Sequence, residues 1–286
     1  MDFISGENFN EIFPILIYNK QDTHVLNFIK TNKNIIYTDD ISTNINNKLN
    51  KNNIFYMKFE CLFYFITQIL PQLTKPFIII THNSDRSSGM NSIILNHPLL
   101  VKWYGQNMNV ISNKTEGIPI GLENRYWGRT NFEIIQKYKN LTKDKLLYLN
   151  FSLKTNKNRK PIMDNLLKKG FKQNEKLPWN EYIKDLASHK FAISPNGNGV
   201  DCHRTWECLY LGVVPIVTKS IVMSFFKDLP ILFVNNYDVI TEDFLNLKYK
   251  EFQDKTFSLD KLSLTYWKNK ILKLYEKYNY NSLQKS

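Results

Sequence analysis

The sequence predicts an α/β protein built on parallel β-sheets, and three observations predict it. Short, wholly apolar runs such as Pro76–Thr81 (PFIIIT) and Phe191–Ile193 are typical of strands buried on both faces. Segments with helical spacing alternate with these runs, and glycines or prolines separate the two kinds of segment. With 286 residues, of which 43% are hydrophobic, the chain can bury one large core or two modest ones.

The individual elements follow from the same signals in chain order. Further strands are expected at Ile15–Tyr18, Asn34–Tyr37, Ile54–Phe59, Ile118–Leu122, Leu146–Ser152 and Val213–Val217. Helices are expected at Leu62–Leu73, within Asn91–Gln106 from near Pro98, and at Phe132–Tyr138, Lys160–Lys169, Trp179–Ser188, Asp201–Leu211 and Ser258–Tyr278. Asp201 is the expected N-cap of its helix, and Gly170 and Gly212 are expected as left-handed C-caps. This alternation favours right-handed crossovers between parallel strands.

A glycine-containing loop separates the strand Phe191–Ile193 from the helix that follows it. The residues of this loop are Ser194, Pro195, Asn196, Gly197, Asn198 and Gly199. Free backbone N–H groups and the helix dipole make a loop of this kind a site for anions. Cys202 stands where a dinucleotide fingerprint has its third glycine, so the loop predicts a phosphate site without the full fingerprint. The alternative is an ordinary structural turn, because strand–glycine–helix units occur throughout α/β proteins.

The helix after this loop carries a cation and a carboxylate three residues apart, Arg204 and Glu207. That spacing places both on neighbouring parts of one helix face. A diphosphate beside a ribose needs such a pair, because the phosphates need positive charge and the ribose hydroxyls need an acceptor. His203, next to the loop, is expected to contact phosphate or sugar.

The segment from Ser194 to Val217, SPNGNGVDCHRTWECLYLGVVPIV, resembles the donor-site signature of exostosin-like glycosyltransferases. That signature has a Pro-x-Gly loop, an Arg a few residues on, a Glu at the third position after it, and a Gly-x-x-Pro strand. Weaker likeness extends to Ile79–Asp85, Ile118–Asn124 and Leu147–Phe151. The resemblance implies a GT-B-like fold, with two Rossmann-like domains and a cleft between them. It also implies that Arg204 meets the donor diphosphate and Glu207 the ribose. The chain is shorter than the family pattern and lacks its membrane anchor, so the acceptor is not carried over.

The GT-B interpretation divides the chain into three segments. Residues 1–155 form an N-terminal Rossmann-like acceptor domain, and residues 156–257 form the domain that binds the nucleotide sugar. Residues 258–286 form a terminal helix that packs back on the N-terminal domain. The polar, basic run Lys154–Lys160 is the expected linker, and a basic lip facing the donor phosphates is the alternative.

The predicted function is transfer of a sugar from a nucleotide-diphosphate sugar to a hydroxyl of a glycan, glycoprotein or glycolipid. No Asp-x-Asp motif occurs, so we expect no metal and no cofactor besides the donor itself. The general base is expected from the loops after strands, where doubly wound sheets bind ligands. Asp85 is the first candidate, His82 the second and Glu123 the third. The structural alternatives are that Asp85 caps a turn and that His82 bonds a backbone carbonyl.

Composition leaves two other functions open. The formal net charge is +12, which suits a nucleic-acid-binding protein, although the lysines are dispersed along the chain. A non-catalytic module that binds a nucleotide or a glycan is the other alternative. The three cysteines form no disulfide framework, and no signal peptide or membrane-spanning run is seen, so the sequence predicts a reducing, cytoplasmic setting.

Overall fold

A computed structural model of the chain describes residues 2–27, 34–39, 53–127 and 131–283. These residues form two compact units. One unit contains residues 2–120 together with the C-terminal segment from Leu264, and the other contains residues 121–263. We call them the six-stranded unit and the four-stranded unit, after their sheets. The predicted α/β class with parallel sheets is confirmed.

The sheet of the six-stranded unit has the strand order β2-β1-β3-β4-β5-β6, with every pairing parallel. Its strands are β1 (Ile15–Tyr18), β2 (Asn34–Tyr37), β3 (Ile54–Lys58), β4 (Phe77–His82), β5 (Leu100–Gly105) and β6 (Thr115–Gly117). All six residues of β4 are buried, as the apolar run PFIIIT predicts.

The sheet of the four-stranded unit has the strand order β10-β9-β8-β7, and it is also parallel. Its strands are β7 (Lys145–Tyr148), β8 (His189–Ile193), β9 (Val214–Thr218) and β10 (Leu232–Val234). Leu147, Phe191, Ile193 and Ile216 from these strands form one core cluster with Leu166 of a neighbouring helix.

Helices connect the strands in both units. The α-helices are α1 (Gly6–Ile12), α2 (Thr23–Leu26), α3 (Leu62–Tyr64), α4 (Ser92–Leu95), α5 (Phe132–Tyr138), α6 (Arg159–Lys168), α7 (Trp179–Ala187), α8 (His203–Tyr210), α9 (Ile221–Ser224), α10 (Glu242–Gln253) and α11 (Leu264–Leu283). A π-helical stretch at Phe65–Ile69 and 3₁₀ turns at Phe59–Cys61 and Leu70–Gln72 extend α3 into one irregular helical segment. Among the described residues, no helix combines the length and the apolar character needed to cross a bilayer.

One predicted helix is wrong. The expected helix from near Pro98 to Gln106 is instead the strand β5, which pairs with β4. Only the short α4 precedes it, with Asn91 as its N-cap. The indole N–H of Trp103 in β5 donates to the hydroxyl of Thr81 in β4 at 2.9 Å, a cross-strand contact that the local sequence does not encode. The strand predicted at Ile118–Leu122 lies earlier, at β6.

Two predicted helix C-caps are confirmed, one predicted N-cap is wrong, and the terminal helix predicted from Ser258 begins at Leu264. Gly170 has φ +90° and Gly212 has φ +69°, the left-handed conformation that favours glycine at a helix C-terminus. The predicted N-cap Asp201 is wrong, because the N-cap of α8 is Cys202. Asp201 is buried, and its carboxylate accepts the indole N–H of Trp206 at 2.7 Å.

The observed units do not divide where the sequence analysis divides the chain. The boundaries fall at 120/121 and 263/264, whereas the sequence predicts them at 155/156 and 257/258. Residues 121–155 belong with the C-terminal sheet because β7 pairs with β8. The basic run 154–160 is therefore no linker between units, and its last residues begin α6 within the four-stranded unit.

The terminal helix α11 belongs to the six-stranded unit, whose core it helps to form. Trp267 and Ile271 are fully buried, and Trp267 makes an edge-on contact with Tyr104. The hydroxyl of Tyr275 accepts a hydrogen bond from the backbone N–H of Asn53 at 2.8 Å. Tyr278, which the helical spacing places on the apolar face, is 45% exposed.

Candidate functional site

The glycine-containing loop leaves the carboxyl end of β8 and is fixed by a buried arginine of α6. Arg159 donates from Nε to the carbonyl of Asn196 at 2.8 Å, and from Nη2 to the carbonyl of Pro195 at 2.9 Å. Its Nη1 donates to the carbonyl of Ser152 at 2.9 Å. Burial lowers the pKa of Arg159 from its ordinary value. The guanidinium thus uses its donors on the backbone of the loop and its surroundings.

Cys202 folds the loop back on itself. Its sulfur accepts the backbone N–H of Gly197 at 3.2 Å, and that N–H also reaches the carbonyl of Gly199 at 2.9 Å. A Cβ on Gly197 would lie 3.2 Å from Nη2 of Arg159, so this position favours glycine for close approach. Burial raises the pKa of the Cys202 thiol to about 11, which keeps it protonated at neutral pH. The N–H of Gly197 is therefore turned inward.

Neighbouring side chains hold two further points of the loop, and its tip is accessible to solvent. Ser194 is buried, and its hydroxyl bonds that of Thr205 in α8 at 2.9 Å, which ties the loop to the helix. Asn156 donates from its amide to the carbonyl of Gly197 at 2.9 Å. Asn198 is exposed at the tip of the loop.

The N-terminus of α8 faces this loop without a side-chain cap. Cys202 is the N-cap and makes no side-chain hydrogen bond to the first turn. The first N–H groups of a helix have no i−4 partner; here that of Thr205 donates to the carbonyl of Cys202 at 3.0 Å, and those of His203 and Arg204 have no partner among the described residues. The first turn of α8 therefore offers donors and the positive end of the helix dipole to an anion.

Arg204 lies between two aromatic rings. Its guanidinium carbon is 5.1 Å from the ring centre of Tyr148 and 5.0 Å from that of Tyr182. Nη1 donates to the carbonyl of Asn150 at 2.7 Å, and Nε lies 3.5 Å from Oε2 of Glu207. Burial alone lowers the pKa of Arg204, but the neighbouring Tyr182 and Glu207 outweigh it, so the pKa is raised and the group stays charged.

The Arg204–Glu207 pair predicted from spacing is present, and a tyrosine completes it. The hydroxyl of Tyr182 in α7 donates to Oε2 of Glu207. Burial raises the pKa of Tyr182 well above its ordinary value, so its proton is retained. Oε2 thereby meets both a hydroxyl and a guanidinium, and Oε1 is the oxygen left to accept from a ligand.

A cavity of about 950 Å³ lies beside this pair, entirely within the four-stranded unit. Glu123, His203 and Glu207 line it together with Trp179 and Tyr182 of α7. The rings of Trp179 and Tyr182 meet edge-on, with centres 5.6 Å apart. The indole N–H of Trp179 is buried and has no hydrogen-bond partner among the described residues. The cavity therefore combines an aromatic wall, an imidazole, the ammonium of Lys176 and three carboxylates, the third being that of Glu181.

The tautomer of His203 follows from its partner. Its Nδ1 lies 2.8 Å from the carbonyl oxygen of Gly121. A carbonyl oxygen only accepts, so Nδ1 carries the proton and Nε2 of the neutral ring is an acceptor. That nitrogen can receive a proton or a hydrogen bond from a hydroxyl in the cavity.

The structure brings together only some of the residues that the sequence analysis selected. His203, Glu207 and Glu123 share the 950 Å³ cavity, whereas Arg204 is not among its lining residues. His82 belongs to the six-stranded unit and is 1% exposed, with Nε2 3.0 Å from the carbonyl of Pro119. The structural alternative for His82 is thereby confirmed.

Asp85, the first candidate for the general base, lies in a different setting from His82. Asp85 also belongs to the six-stranded unit and is exposed on the loop after β4. Asn83 in the same loop has φ +54°, which is uncommon for a residue other than glycine. Asp85 makes no hydrogen bond or ion pair with the residues that the structure describes.

Sequence reasoning missed the residues that support the site. The sequence predicts a linker that includes Arg159. In the structure Arg159 is the first residue of α6, is buried, and holds the loop after β8 through its hydrogen bonds. Tyr148 and Tyr182 enclose Arg204. The signal available for Tyr182 and Trp179 was their spacing after Pro178, which puts two aromatic rings on one side of α7. No such signal linked Tyr148 to Arg204.

No protein-family model matches the chain, and no curated protein is significantly similar to it. The likeness to exostosin-like enzymes therefore rests on the motif residues alone. In the described part of the chain, no cluster of three or more His, Cys, Asp or Glu side chains has the placement of a metal site.

Proposed function

We propose that this protein is a glycosyltransferase that moves a sugar from a nucleotide-diphosphate sugar to an acceptor hydroxyl, with the GT-B arrangement of two Rossmann-like domains. The observation that carries the proposal is the shared cavity of His203 and Glu207, next to the uncapped N-terminus of α8. Glu207 can accept hydrogen bonds from the ribose hydroxyls, and the N-terminus of the same helix can bind the phosphates.

Each part of the donor has a partner in this arrangement. The ribose hydroxyls would donate to Glu207, whose orientation is set by Tyr182. The diphosphate would meet the N-terminal amides of α8 and the guanidinium of Arg204, which offset the charge of the leaving group. The aromatic wall at Trp179 suits a flat base, because base–aromatic stacking tolerates any base.

The chemistry also needs a group that takes the acceptor proton. Glu123, the third candidate from the sequence, lines the same cavity as His203 and Glu207, which supports it for this role. A carboxylate within reach of the acceptor hydroxyl can serve as general base in an inverting transfer. We therefore assign this role to Glu123 ahead of Asp85.

A non-catalytic nucleotide-binding module is the second candidate. The internal bonds of Arg204, to the carbonyl of Asn150 and beside Glu207, favour it, since they hold the cation in the fold rather than in the cavity. Both candidates predict that ligand binding raises the unfolding temperature.

The deciding experiment measures binding and turnover together. A thermal-shift screen of UDP, GDP, CMP and their sugars identifies the ligand, and release of free nucleotide is then followed with candidate acceptors. A transferase consumes the nucleotide sugar, whereas a binding module protects it. Activity that survives EDTA supports the metal-independent mechanism, and activity that EDTA removes and Mn²⁺ restores refutes it. No stabilisation by any of these ligands would refute both candidates.

A further inference from the structure

A second, smaller cavity of about 270 Å³ lies in the four-stranded unit, at the carboxyl ends of three neighbouring strands. Asn196 belongs to the loop after β8, Thr218 is the last residue of β9, and Asn235 directly follows β10. Open parallel sheets bind ligands at this edge. The volume is just below the range of about 300–1,000 Å³ for drug-sized ligands, which suits a group of one ring.

The polar lining of this cavity consists mainly of side-chain amides. Six of its lining residues are asparagines: Asn156, Asn158, Asn165, Asn196, Asn235 and Asn236. They come from the segment around α6, the loop after β8 and the loop after β10, so they surround the space from several directions. Each amide offers both donors and an acceptor.

Several of these polar groups are available to a ligand. The side-chain amides of Asn158, Asn196 and Asn235 and the hydroxyl of Thr218 hydrogen-bond to no other residue in the part of the chain that the structure describes. By contrast, Asn156 holds the carbonyl of Gly197 and is part of the fold. Unpaired amides and a hydroxyl around one space match a ligand that carries several hydroxyl groups.

The charges of the cavity do not suit a phosphate. The positively charged residue that lines this cavity is Arg159, and its guanidinium already donates to three backbone carbonyls. The other charged lining residue is Asp238, whose carboxylate accepts from the amide of Asn165 at 2.6 Å. An anion would therefore meet a carboxylate and no uncommitted cation. These charges favour a neutral ligand over an anion.

The arrangement also favours a saturated ring over a nucleobase. Its aromatic residue, Tyr237, is only 4% exposed and directs its hydroxyl to the carbonyl of Ile216, so it presents little ring face for stacking. Pro161, Ile162 and Pro195 supply C–H surface instead. We propose that this cavity is a binding site for a neutral monosaccharide unit, with Asn196, Asn235 and Thr218 as its polar contacts. The inference does not rest on the proposed function, because a free sugar needs no nucleotide to bind.

The test uses the full-length protein and five free sugars: glucose, galactose, mannose, fucose and N-acetylglucosamine. Saturation-transfer NMR titrations measure binding, for which a dissociation constant on the order of 1 mM is typical of so small a ligand. The test variant is Asn235→Ala with Thr218→Val, which removes two polar groups and little volume. The matched control is Asn246→Ala, an exposed asparagine of α10 in the same unit.

We expect at least one sugar to bind saturably, the test variant to weaken that binding about tenfold, and the control to leave it unchanged. Adenosine, uridine and guanosine are titrated in parallel. The proposal is overturned if none of the five sugars binds, if the test variant binds the sugar as the control does, or if a nucleoside displaces the sugar. A sugar site that persists in a Glu207→Gln protein with weakened nucleotide binding would separate this inference from the proposed function.

Discussion

Arg159 donates from Nε to the backbone carbonyl of Asn196 at 2.8 Å, joining the first residue of α6 to the loop after β8. The two residues are far apart in the sequence, and the bond fixes a loop that α8 alone would leave free at one end. It also explains why the basic run 154–160, whose last two residues begin α6, contains a buried arginine. The smaller cavity is lined by Arg159 together with Pro195 and Asn196 of this loop, so its shape depends on this side chain.

The first prediction concerns the hydrogen bonds by which Arg159 holds the loop after β8. Arg159→Met should lower the free energy of unfolding by about 3 kcal/mol, because three backbone carbonyls lose their donor. Arg159→Lys should recover only part of the loss, since an ammonium lacks the planar fork. Urea unfolding followed by tryptophan fluorescence measures the effect. Lys160→Ala, in an exposed pair with Asp164, is the control and should cost about 0.3–0.5 kcal/mol. Equal losses in the two variants would contradict the bracing role.

Arg204 carries the second prediction. If its guanidinium contacts the donor diphosphate, Arg204→Ala should weaken binding of a nucleoside diphosphate by about 1.5–3 kcal/mol, with partial rescue by lysine. Calorimetry with the best nucleotide and with inorganic pyrophosphate distinguishes contact from support. Loss of affinity for both ligands indicates contact with phosphate. Pyrophosphate binding that is unchanged in the variant would show that Arg204 acts only by positioning Glu207.

The third prediction concerns Glu207, whose replacement should affect binding of the ribose but not binding of the phosphates. As the ribose acceptor, Glu207→Gln should lower affinity for nucleoside diphosphates and leave pyrophosphate binding unchanged. Tyr182→Phe removes the hydroxyl that bonds Glu207 but retains the ring, so it should produce a smaller loss with the same ligand preference. Calorimetry again provides the measurement. Equal losses for both ligands would mean that Glu207 supports the loop instead.

The fourth prediction separates the candidate bases. Glu123→Gln should slow sugar transfer about 100- to 10,000-fold while donor affinity hardly changes, because the carboxylate acts on the acceptor's proton. Asp85→Asn, at the exposed carboxylate that the sequence favours, is the comparison and should retain the rate. Steady-state kinetics at saturating donor distinguishes the two. A slow Asp85→Asn enzyme with a normal Glu123→Gln enzyme would return the role to Asp85.

His189 provides a prediction for pH. Burial lowers the pKa of its imidazole, and the neutral ring donates from Nδ1 to the carbonyl of Asp185 at 2.7 Å while Nε2 accepts from the amide of Asn174 at 3.3 Å. The unfolded chain, with a histidine pKa of about 6.5, binds the proton more readily. Stability from this group is therefore complete above about pH 6.5 and is lost as pH falls towards the lowered pKa, by at most about 1.4 kcal/mol per pH unit.

The measurement is urea unfolding between about pH 7.5 and pH 5 for the natural protein and for His189→Gln. The pKa of His97 is also lowered by burial, but it contributes equally to both proteins, so their difference isolates His189. The natural protein should lose more stability on acidification than the variant. Parallel curves for the two proteins would contradict the burial argument.

Local patterns predicted most of the fold. The α/β class and strands such as β4, β8 and β9 follow from apolar runs between glycines and prolines, and the C-caps at Gly170 and Gly212 follow from backbone sterics. The prediction failed at β5, where an apolar run after a proline fits a helix or a strand equally well. Pairing with β4 decided that segment, and pairing is a contact between distant residues.

By itself, the sequence determined the parallel α/β architecture, the glycine-containing loop and the i, i+3 pair of Arg204 and Glu207, because each depends on residues close together in the chain. Only the tertiary structure decided that Arg159 braces the loop, that Tyr148 and Tyr182 enclose Arg204, and that Glu123 shares a cavity with His203 while Asp85 is exposed. The physical reason is that burial, stacking and shared hydrogen bonds arise between segments brought together by sheet order. Spacing along the chain carries no measure of that proximity.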